Sequence, residues 1–225
     1  MATQKYGVYI QDQIRAWPTG EPITTTAVAA ALASAFSMDI VSARKITNVN
    51  VKRLADKGEL ARVHKGIYGK VRNTPFGKLA PSTDEMIAGL LLREGDKTIG
   101  FIAGPTLLNA IGLCSWIPRE HHLVTNNYRR RLPPGTRIRI NKPVVKVDDE
   151  NVSCLQMLEA IITMGQYPVD AERPDEVLRG ILIRQKINNE KLIWYARNYY
   201  GHKILLRTID IALGGLEGLR IDVTQ

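Results

Sequence analysis

The residues with the clearest chemistry recur at steps of four in one stretch of the chain: Arg44, Asn48 and Lys52, with Lys45 and Val49 beside them. On a helix this spacing places them on one face. Arginine can bind guanine through two hydrogen bonds, asparagine can bind adenine, and valine can contact the thymine methyl group. Lysine is suited to phosphate. The pattern predicts a helix that reads the major groove of DNA, and the alternative is the solvated side of an amphipathic helix.

A second basic surface is predicted directly after this helix. Residues 59–68, ELARVHKGIY, have the pattern of a β-hairpin whose turn is built around Lys65 and Gly66. The tip of the hairpin would present Arg62, His64 and Lys65 to the DNA backbone beside the groove. Two adjacent cationic surfaces favour DNA binding over a merely solvated helix face.

Three helices are needed to position these groups. Apolar residues from Tyr6 to Trp17 recur at steps of four, four and three, which predicts the first helix. The alanine-rich stretch after Thr24–Thr26 predicts a second helix that the threonine hydroxyls cap. A third helix is predicted to end at a left-handed Gly58. Its inward face is predicted to consist of Ile40, Ala43, Thr47, Val51 and Leu54. Three helices followed by a hairpin predict a winged helix-turn-helix domain over residues 1–78.

The stretch RLADKGELARVHKGIYGK, residues 53–70, resembles the winged-helix domain of the AbiEi antitoxin group and of an allied uncharacterised family. The likeness continues through TPFGKLAPSTDEMIAGLLL, IGFIAGPTLLNAIGL, HHLVTN and RIRINKP, and it covers the chain from Gln4 to Val147. This ordered series of blocks is more specific than RV-x-KG-I-Y alone, which many winged helices share.

The resemblance implies the antitoxin of a type IV toxin–antitoxin system that also represses its own promoter. Its N-terminal domain would bind inverted repeats in double-stranded DNA, which a homodimer matches by symmetry. Its C-terminal part would oppose a toxin of the nucleotidyltransferase class. An arginine-rich strand region of the family corresponds to Arg129, Arg130 and Arg131. The alternative is a stand-alone winged-helix transcription regulator whose C-terminal domain senses a ligand or dimerises.

Residues 79–225 are predicted to form a mixed α/β domain with a helical C-terminal part from residue 151, so that the whole chain is α+β. Strands are predicted at residues 98–102, 121–126 and 137–147. Helices are predicted after Ser82, after Gly104 and over residues 152–164, 175–186, 189–199 and 203–214.

A second basic segment lies between Arg119 and Lys146, with eight cations and one acid. The candidate contact residues in it are Arg129, Arg130, Arg131, Arg137 and Arg139. On a strand the last two would share a face. The segment is predicted to contact further phosphate groups or to dock an acidic or RNA partner. The equal alternative is a solvated loop.

Four aromatic residues cluster near the end of the chain: Trp194, Tyr195, Tyr199 and Tyr200. Our first interpretation is that they form the core of a helix pair. The alternatives are that they stack on bases or anchor a protein interface.

Composition agrees with a nucleic-acid partner. The net charge is +9, and residues 1–80 hold a surplus of seven cations, 12 Lys/Arg against 5 Asp/Glu. Such charge attracts polyanions.

Cys114 and Cys154 are expected to be buried thiols, because two cysteines supply neither a disulfide framework nor a zinc site.

The other functional expectations are absences. No Ser/His/Asp or Cys/His constellation and no metal-ligand spacing is present, so we expect no enzyme activity, no cofactor and no bound metal. No apolar run is long enough to span a membrane, and the first residues lack the apolar block of a signal peptide. We therefore expect a cytoplasmic protein with no membrane partner.

Overall fold

The chain is a mixed α+β protein, as the sequence predicts. The structure, a computed structural model, describes residues 2–214. It divides into two compact units. The first comprises Met1–Leu90 with Pro133–Thr136, and the second comprises Leu91–Leu132 with Arg137–Gln225. Each unit is described by itself below.

The first unit begins with three helices and a small sheet. The elements in chain order are α1 (Ala2–Ala16), β1 (Ile23–Thr24), α2 (Thr25–Phe36), α3 (Ile40–Asp56), β2 (Leu60–His64) and β3 (Ile67–Lys70). The strands form an antiparallel sheet in the order β1-β3-β2, with Ile23 opposite Tyr68 and Leu60 opposite Lys70. A separate hairpin of β4 (Arg72–Thr74) and β5 (Gly77–Leu79) follows, and then α4 (Thr83–Leu92). The three predicted helices and the predicted hairpin β2–β3 are confirmed.

Local capping explains where these elements begin and end. The Thr24 hydroxyl accepts a hydrogen bond from the Ala27 N–H at 3.2 Å and caps α2, as expected. Gly58 has φ +74° directly after α3, and Gly66 has φ +75° in the turn between β2 and β3. Both positions favour glycine because a left-handed backbone strains other residues. The ammonium group of Lys70 donates to the Arg15 and Trp17 carbonyl oxygens at the end of α1.

One face of α3 packs into the core of the first unit. Four of its five predicted inward residues, Ala43, Thr47, Val51 and Leu54, are buried, and the core also contains Ile10 and Leu32. The prediction is wrong for Ile40, whose side chain is 41% exposed. Ile40 is the first residue of the helix, and helical side chains lean towards the N-terminus. Its side chain therefore extends past the N-terminal end of the part of α3 that packs against the core.

The second unit joins a small sheet to four consecutive helices. Its elements in chain order are β6 (Arg93–Glu94), β7 (Lys97–Thr98), β8 (Gly100–Ile102), α5 (Gly104–Ala110), β9 (His121–Thr125), β10 (Ile138–Asn141), α6 (Val152–Met164), α7 (Pro174–Arg184), α8 (Asn189–Tyr199) and α9 (His202–Leu213). The sheet order is β10-β9-β8, with β9 and β10 parallel and β8 and β9 antiparallel. Its main core includes Leu108, Leu158, Leu178, Leu192 and Ile211.

The strand predictions for this unit were only partly right. The stretch Thr98–Ile102 is divided between β7 and β8, and β10 ends at Asn141 instead of continuing to Val147. Pro143 lacks an N–H to donate to a neighbouring strand, which disfavours continuation. Val147 instead exchanges two hydrogen bonds with the Asn126 side chain. The hairpins β4–β5 and β6–β7 were not predicted at all.

Both cysteines are free and buried in the second unit, as expected. Burial raises the pKa of the Cys114 thiol, with a contribution from the negative charge of Asp170. Burial also raises the pKa of the Cys154 thiol, against an opposing effect of Lys191. Both thiols therefore stay protonated and weakly reactive at neutral pH.

Gly100 in β8 permits a close backbone approach. A Cβ atom there would lie 2.5 Å from the Val124 carbonyl oxygen and 2.7 Å from the Leu91 carbonyl oxygen. Backbone atoms held in a strand or a helix cannot move aside as a flexible side chain can, so only glycine fits this position without strain.

We expect Gly100→Ala to lower the free energy of unfolding by about 2 kcal/mol or more, because the backbone must shift to admit the methyl group. The matched control is Gly180→Ala in α7, where a Cβ atom would meet nothing within 4 Å. Helix propensity predicts that the free energy of unfolding of this variant is higher than that of the wild type by up to about 1 kcal/mol. Urea denaturation of the two variants measures the difference, and equal stabilities would contradict the close approach.

Candidate nucleic-acid interface

The face of α3 opposite the core is cationic. Arg44, Lys45, Asn48, Val49 and Lys52 are all exposed, as predicted. With a rise of about 1.5 Å per residue, the row from Arg44 to Lys52 extends over about 12 Å. The sequence prediction missed Val41, which is 58% exposed on the first turn of the same helix. The α3 face therefore offers cations, one amide and two apolar side chains to solvent.

The ends of α3 are fixed by hydrogen bonds. At the N-terminus, Asp39 Oδ1 accepts the Ser42 N–H at 2.8 Å. At the C-terminus, the Lys57 N–H donates to the Arg53 carbonyl oxygen at 3.1 Å. The Glu59 N–H donates to the Leu54 carbonyl oxygen at 3.0 Å, so that β2 starts directly from the end of the helix. These contacts hold the exposed face in a defined position relative to the hairpin.

The hairpin also exposes the predicted residues. Arg62, His64 and Lys65 are exposed, and the strand pairing is irregular between Arg62 and His64. The turn is tied to the start of α2 because the Thr25 N–H donates to the Gly66 carbonyl oxygen at 2.9 Å. The structure thus places both predicted cationic surfaces in the first unit.

The cations of these surfaces are unpaired within the described part of the chain. No ion pair or side-chain hydrogen bond involves Arg44, Lys45, Lys52, Arg62 or Lys65. An unpaired exposed cation can bind phosphate without first giving up an internal partner. The arrangement is suited to a polyanion.

The arginines predicted in the second basic segment are also exposed. Arg129, Arg130 and Arg131 follow β9, and Arg137 and Arg139 flank the buried Ile138. The alternation of exposed and buried residues agrees with the shared face that we expected for Arg137 and Arg139. The sequence prediction missed Tyr128 and Lys142 in this region: the ring of Tyr128 contacts both Lys142 and Arg129.

The aromatic cluster departs from our first interpretation at two of its four residues. Trp194 is 51% exposed and Tyr199 is 41% exposed, so neither forms the core of a helix pair. Their rings contact each other and Tyr195, with centroid distances of 5.1 to 5.9 Å. Leu192 and Ala196 fill the buried side of α8 instead. Tyr195 and Tyr200 are partly buried and pack against the core of the second unit, and burial together with the charge of Glu159 raises the pKa of the Tyr200 hydroxyl.

Residues 2–214 contain neither a metal-binding cluster nor a helix that could span a membrane. No group of three or more His, Cys, Asp or Glu side chains in that range could hold a metal ion. No helix in that range combines the length and apolar character that crossing a membrane requires.

The fold and the exposed surfaces define an α+β protein with an unpaired cationic helix face. The chain belongs to the family of unknown function DUF6088, whose model matches residues 21–191. The match includes α3, the β2–β3 hairpin and the basic segment after β9. No curated protein matches the sequence.

The cap at Asp39 makes a contribution to stability that depends on pH. Hydrogen bonds from the Ser42 side chain and N–H lower the pKa of Asp39 below its ordinary value of 3.8. A lowered pKa in the folded state stabilises the fold above the unfolded pKa, and this stabilisation is lost as the pH falls through the folded pKa.

We therefore expect Asp39→Asn, which keeps the cap, to lose less stability than the wild type between pH ~6 and pH ~3. Asp39→Ala should be less stable than both at pH ~6, because it has no cap. Unfolding temperatures at the two pH values test this. If the unfolding temperatures of the wild type and the asparagine variant fall equally between the two pH values, the Asp39 charge does not contribute to stability.

Proposed function

We propose that this protein is a sequence-reading DNA-binding protein with an N-terminal winged helix-turn-helix, in which α3 is the recognition helix. The observation that supports this most directly is the exposed, unpaired face of α3 formed by Arg44, Lys45, Asn48, Val49 and Lys52. The order of helices and strands in the first unit agrees with that class: the hairpin β2–β3 follows α3 directly, and β1, which precedes α2, pairs with β3.

The dimensions of the α3 face suit a groove. Residues four apart on a helix are separated by about 6 Å, which is close to the rise of two base pairs at about 3.4 Å each. In this proposal Arg44 and Asn48 contact base edges, and Val49 contacts a thymine methyl group. Lys45 and Lys52 bind phosphates and fix the register of the helix.

The hairpin serves as the wing in this proposal. Arg62, His64 and Lys65 are exposed around its turn, and Gly66 permits the tight reversal that presents them. Contacts from such a tip reach the sugar–phosphate backbone, so they add affinity without choosing a sequence.

We propose further that the protein represses its own promoter as the antitoxin of an AbiE-like system. The resemblance of residues 4–147 to the AbiEi group supports this role, in which a homodimer binds promoter inverted repeats and the C-terminal part opposes a nucleotidyltransferase-type toxin. The exposed members of the aromatic cluster, Trp194 and Tyr199, add support, because aromatic residues dominate the energetics of protein interfaces. The chain acts by binding in this proposal, without catalysis.

A stand-alone regulator is the second candidate, and a cleft in the second unit favours it. The cleft lies between the end of α6 and α9 and has a volume of about 460 Å³, within the range of small-molecule sites. Its lining is mostly apolar and includes Ile161, Ile162, Met164, Ile204 and Leu206, together with the charged residues Lys203, Arg207 and Asp210. A ligand in this cleft could regulate the protein without any toxin partner.

The recognition proposal is tested with DNA taken from immediately upstream of the coding sequence. Replacing Arg44 with Gln or Asn48 with Ala should cost about 1–3 kcal/mol in binding and relax the choice of sequence. Lys65→Ala should weaken binding to every sequence alike, with a shallower dependence on salt.

The matched control is Arg53→Gln, which removes the same charge from the same helix. Arg53 lies nine residues from Arg44, about half a turn away at 100° per residue, and is exposed. Binding isotherms in which Arg44→Gln and Arg53→Gln behave identically would eliminate α3 as the recognition helix.

The antitoxin proposal makes a separate prediction for Trp194→Ala. If a nucleotidyltransferase is encoded beside this gene, its co-expression should be toxic with this variant and harmless with the wild type, because the variant loses an aromatic anchor. Its DNA binding should be unchanged. Full protection by Trp194→Ala would remove the aromatic cluster from the toxin interface, and a gene without such a neighbour would favour the stand-alone regulator.

A further inference from the structure

A basic cluster forms where two parallel strands end. Tyr128 comes just after β9, and Lys142 comes directly after β10. Because β9 and β10 run parallel, with Val124 opposite Asn141, their carboxyl ends lie at the same edge of the sheet. The pairing therefore brings together two residues that are fourteen positions apart in the sequence. We call residues 126–130 together with Lys142 the Tyr128 loop.

The ring of Tyr128 contacts two cations. Arg129 Cζ lies 5.5 Å from the ring centroid, and Lys142 Nζ lies 5.6 Å from it. The negative face of an aromatic ring attracts cations, so Tyr128 restricts two side chains that would otherwise move freely. Such restriction lowers the entropy that each cation loses when it binds an anion.

The backbone of the Tyr128 loop is anchored as well. The Asn126 side chain donates to the Val147 carbonyl oxygen at 2.8 Å and accepts the Val147 N–H at 2.9 Å. The Asn126 N–H donates to the Ile99 carbonyl oxygen, and the Arg130 N–H donates to the Asn127 carbonyl oxygen. The loop lines an open concavity of about 540 Å³ formed by residues 126–130, none of which is acidic. Arg129, Arg130 and Lys142 form no ion pair among the described residues.

We propose that the Tyr128 loop binds the phosphate backbone of duplex DNA and that Tyr128 is the positioning residue for Arg129 and Lys142. The site deepens the proposed function, on which it rests, by giving the second unit its own contact with the same class of ligand. Cations bind phosphate groups, which are the same in every sequence, so the loop adds affinity for any duplex.

The surroundings of the Tyr128 ring favour binding of duplex over single-stranded nucleic acid. Proteins that bind single strands stack bases on free aromatic faces. The Tyr128 ring is half-buried and already contacts two cations, so a base would have to compete with them for its surface. The phosphate backbone needs only the cations.

The experiment measures fluorescence anisotropy of a mixed-sequence DNA duplex over a series of salt concentrations, with the full chain. Lys142→Gln should weaken binding about threefold at low salt and reduce the salt slope by about one, as expected for one lost phosphate contact. Tyr128→Leu should weaken binding to a similar extent, because it frees both cations. Tyr128→Phe keeps the ring and should bind like the wild type.

Arg184→Gln provides the control for charge alone, since Arg184 is exposed on α7 in the same unit and forms no ion pair among residues 2–214. It should leave the affinity and the salt slope unchanged. Thermal unfolding checks that Tyr128→Leu remains folded, and Lys142→Gln tests the site without touching the ring.

Two results would overturn the inference. One is duplex binding by Lys142→Gln and Tyr128→Leu that matches the wild type. The other is a loss confined to double-stranded RNA or to polyglutamate, with DNA binding intact. The proposed function is judged separately by preference for the upstream DNA, which Arg44→Gln should relax and Tyr128→Leu should keep. Failure of the Arg44 variant to change that preference would leave the Tyr128 loop as a DNA contact without a recognition helix.

Discussion

The first unit depends on α3 burying one side while it leaves the opposite side unpaired. Ala43, Thr47 and Val51 recur at steps of four and pack into the core, which fixes the rotation of the helix about its axis. The same rotation determines that Arg44 and Asn48 lie in solvent, because positions on a helix are separated by fixed angles. A shift of one residue would bury a guanidinium group at a large desolvation cost. The rotation of α3 about its axis therefore determines both the packing of the core and the geometry of the candidate interface.

Much of the fold could be predicted from short-range signals. Helical periodicity and capping residues such as Thr24 and Gly58 act within a few positions, so the sequence displays them directly. Ile40 was misplaced because the helical pattern alone does not show where the packing partner ends. The two hairpins β4–β5 and β6–β7 were missed because they are short and largely exposed, and their hydrogen bonds leave no apolar alternation to detect.

The site was predictable to a different extent in each unit. The α3 face follows from a single helix, so spacing was enough to select its residues. Trp194 and Tyr199 were misjudged because size and apolarity suggested burial, although Leu192 and Ala196 occupy the inner side of α8. The contact between Tyr128 and Lys142 depends on the parallel pairing of β9 and β10, and no local pattern reveals which strands will pair.

The two cysteines give the molecule an internal reporter of its own opening. Cys114 and Cys154 are both buried in the second unit, and the first unit contains no cysteine. A thiol reagent can react only after the surrounding core has loosened, because the protonated sulfur atoms are shielded from solvent. The rate of alkylation therefore follows the local unfolding of the helical core around Leu158. It does not respond to fraying of the α3 region. The unfolding of the second unit can thus be measured without any engineered label.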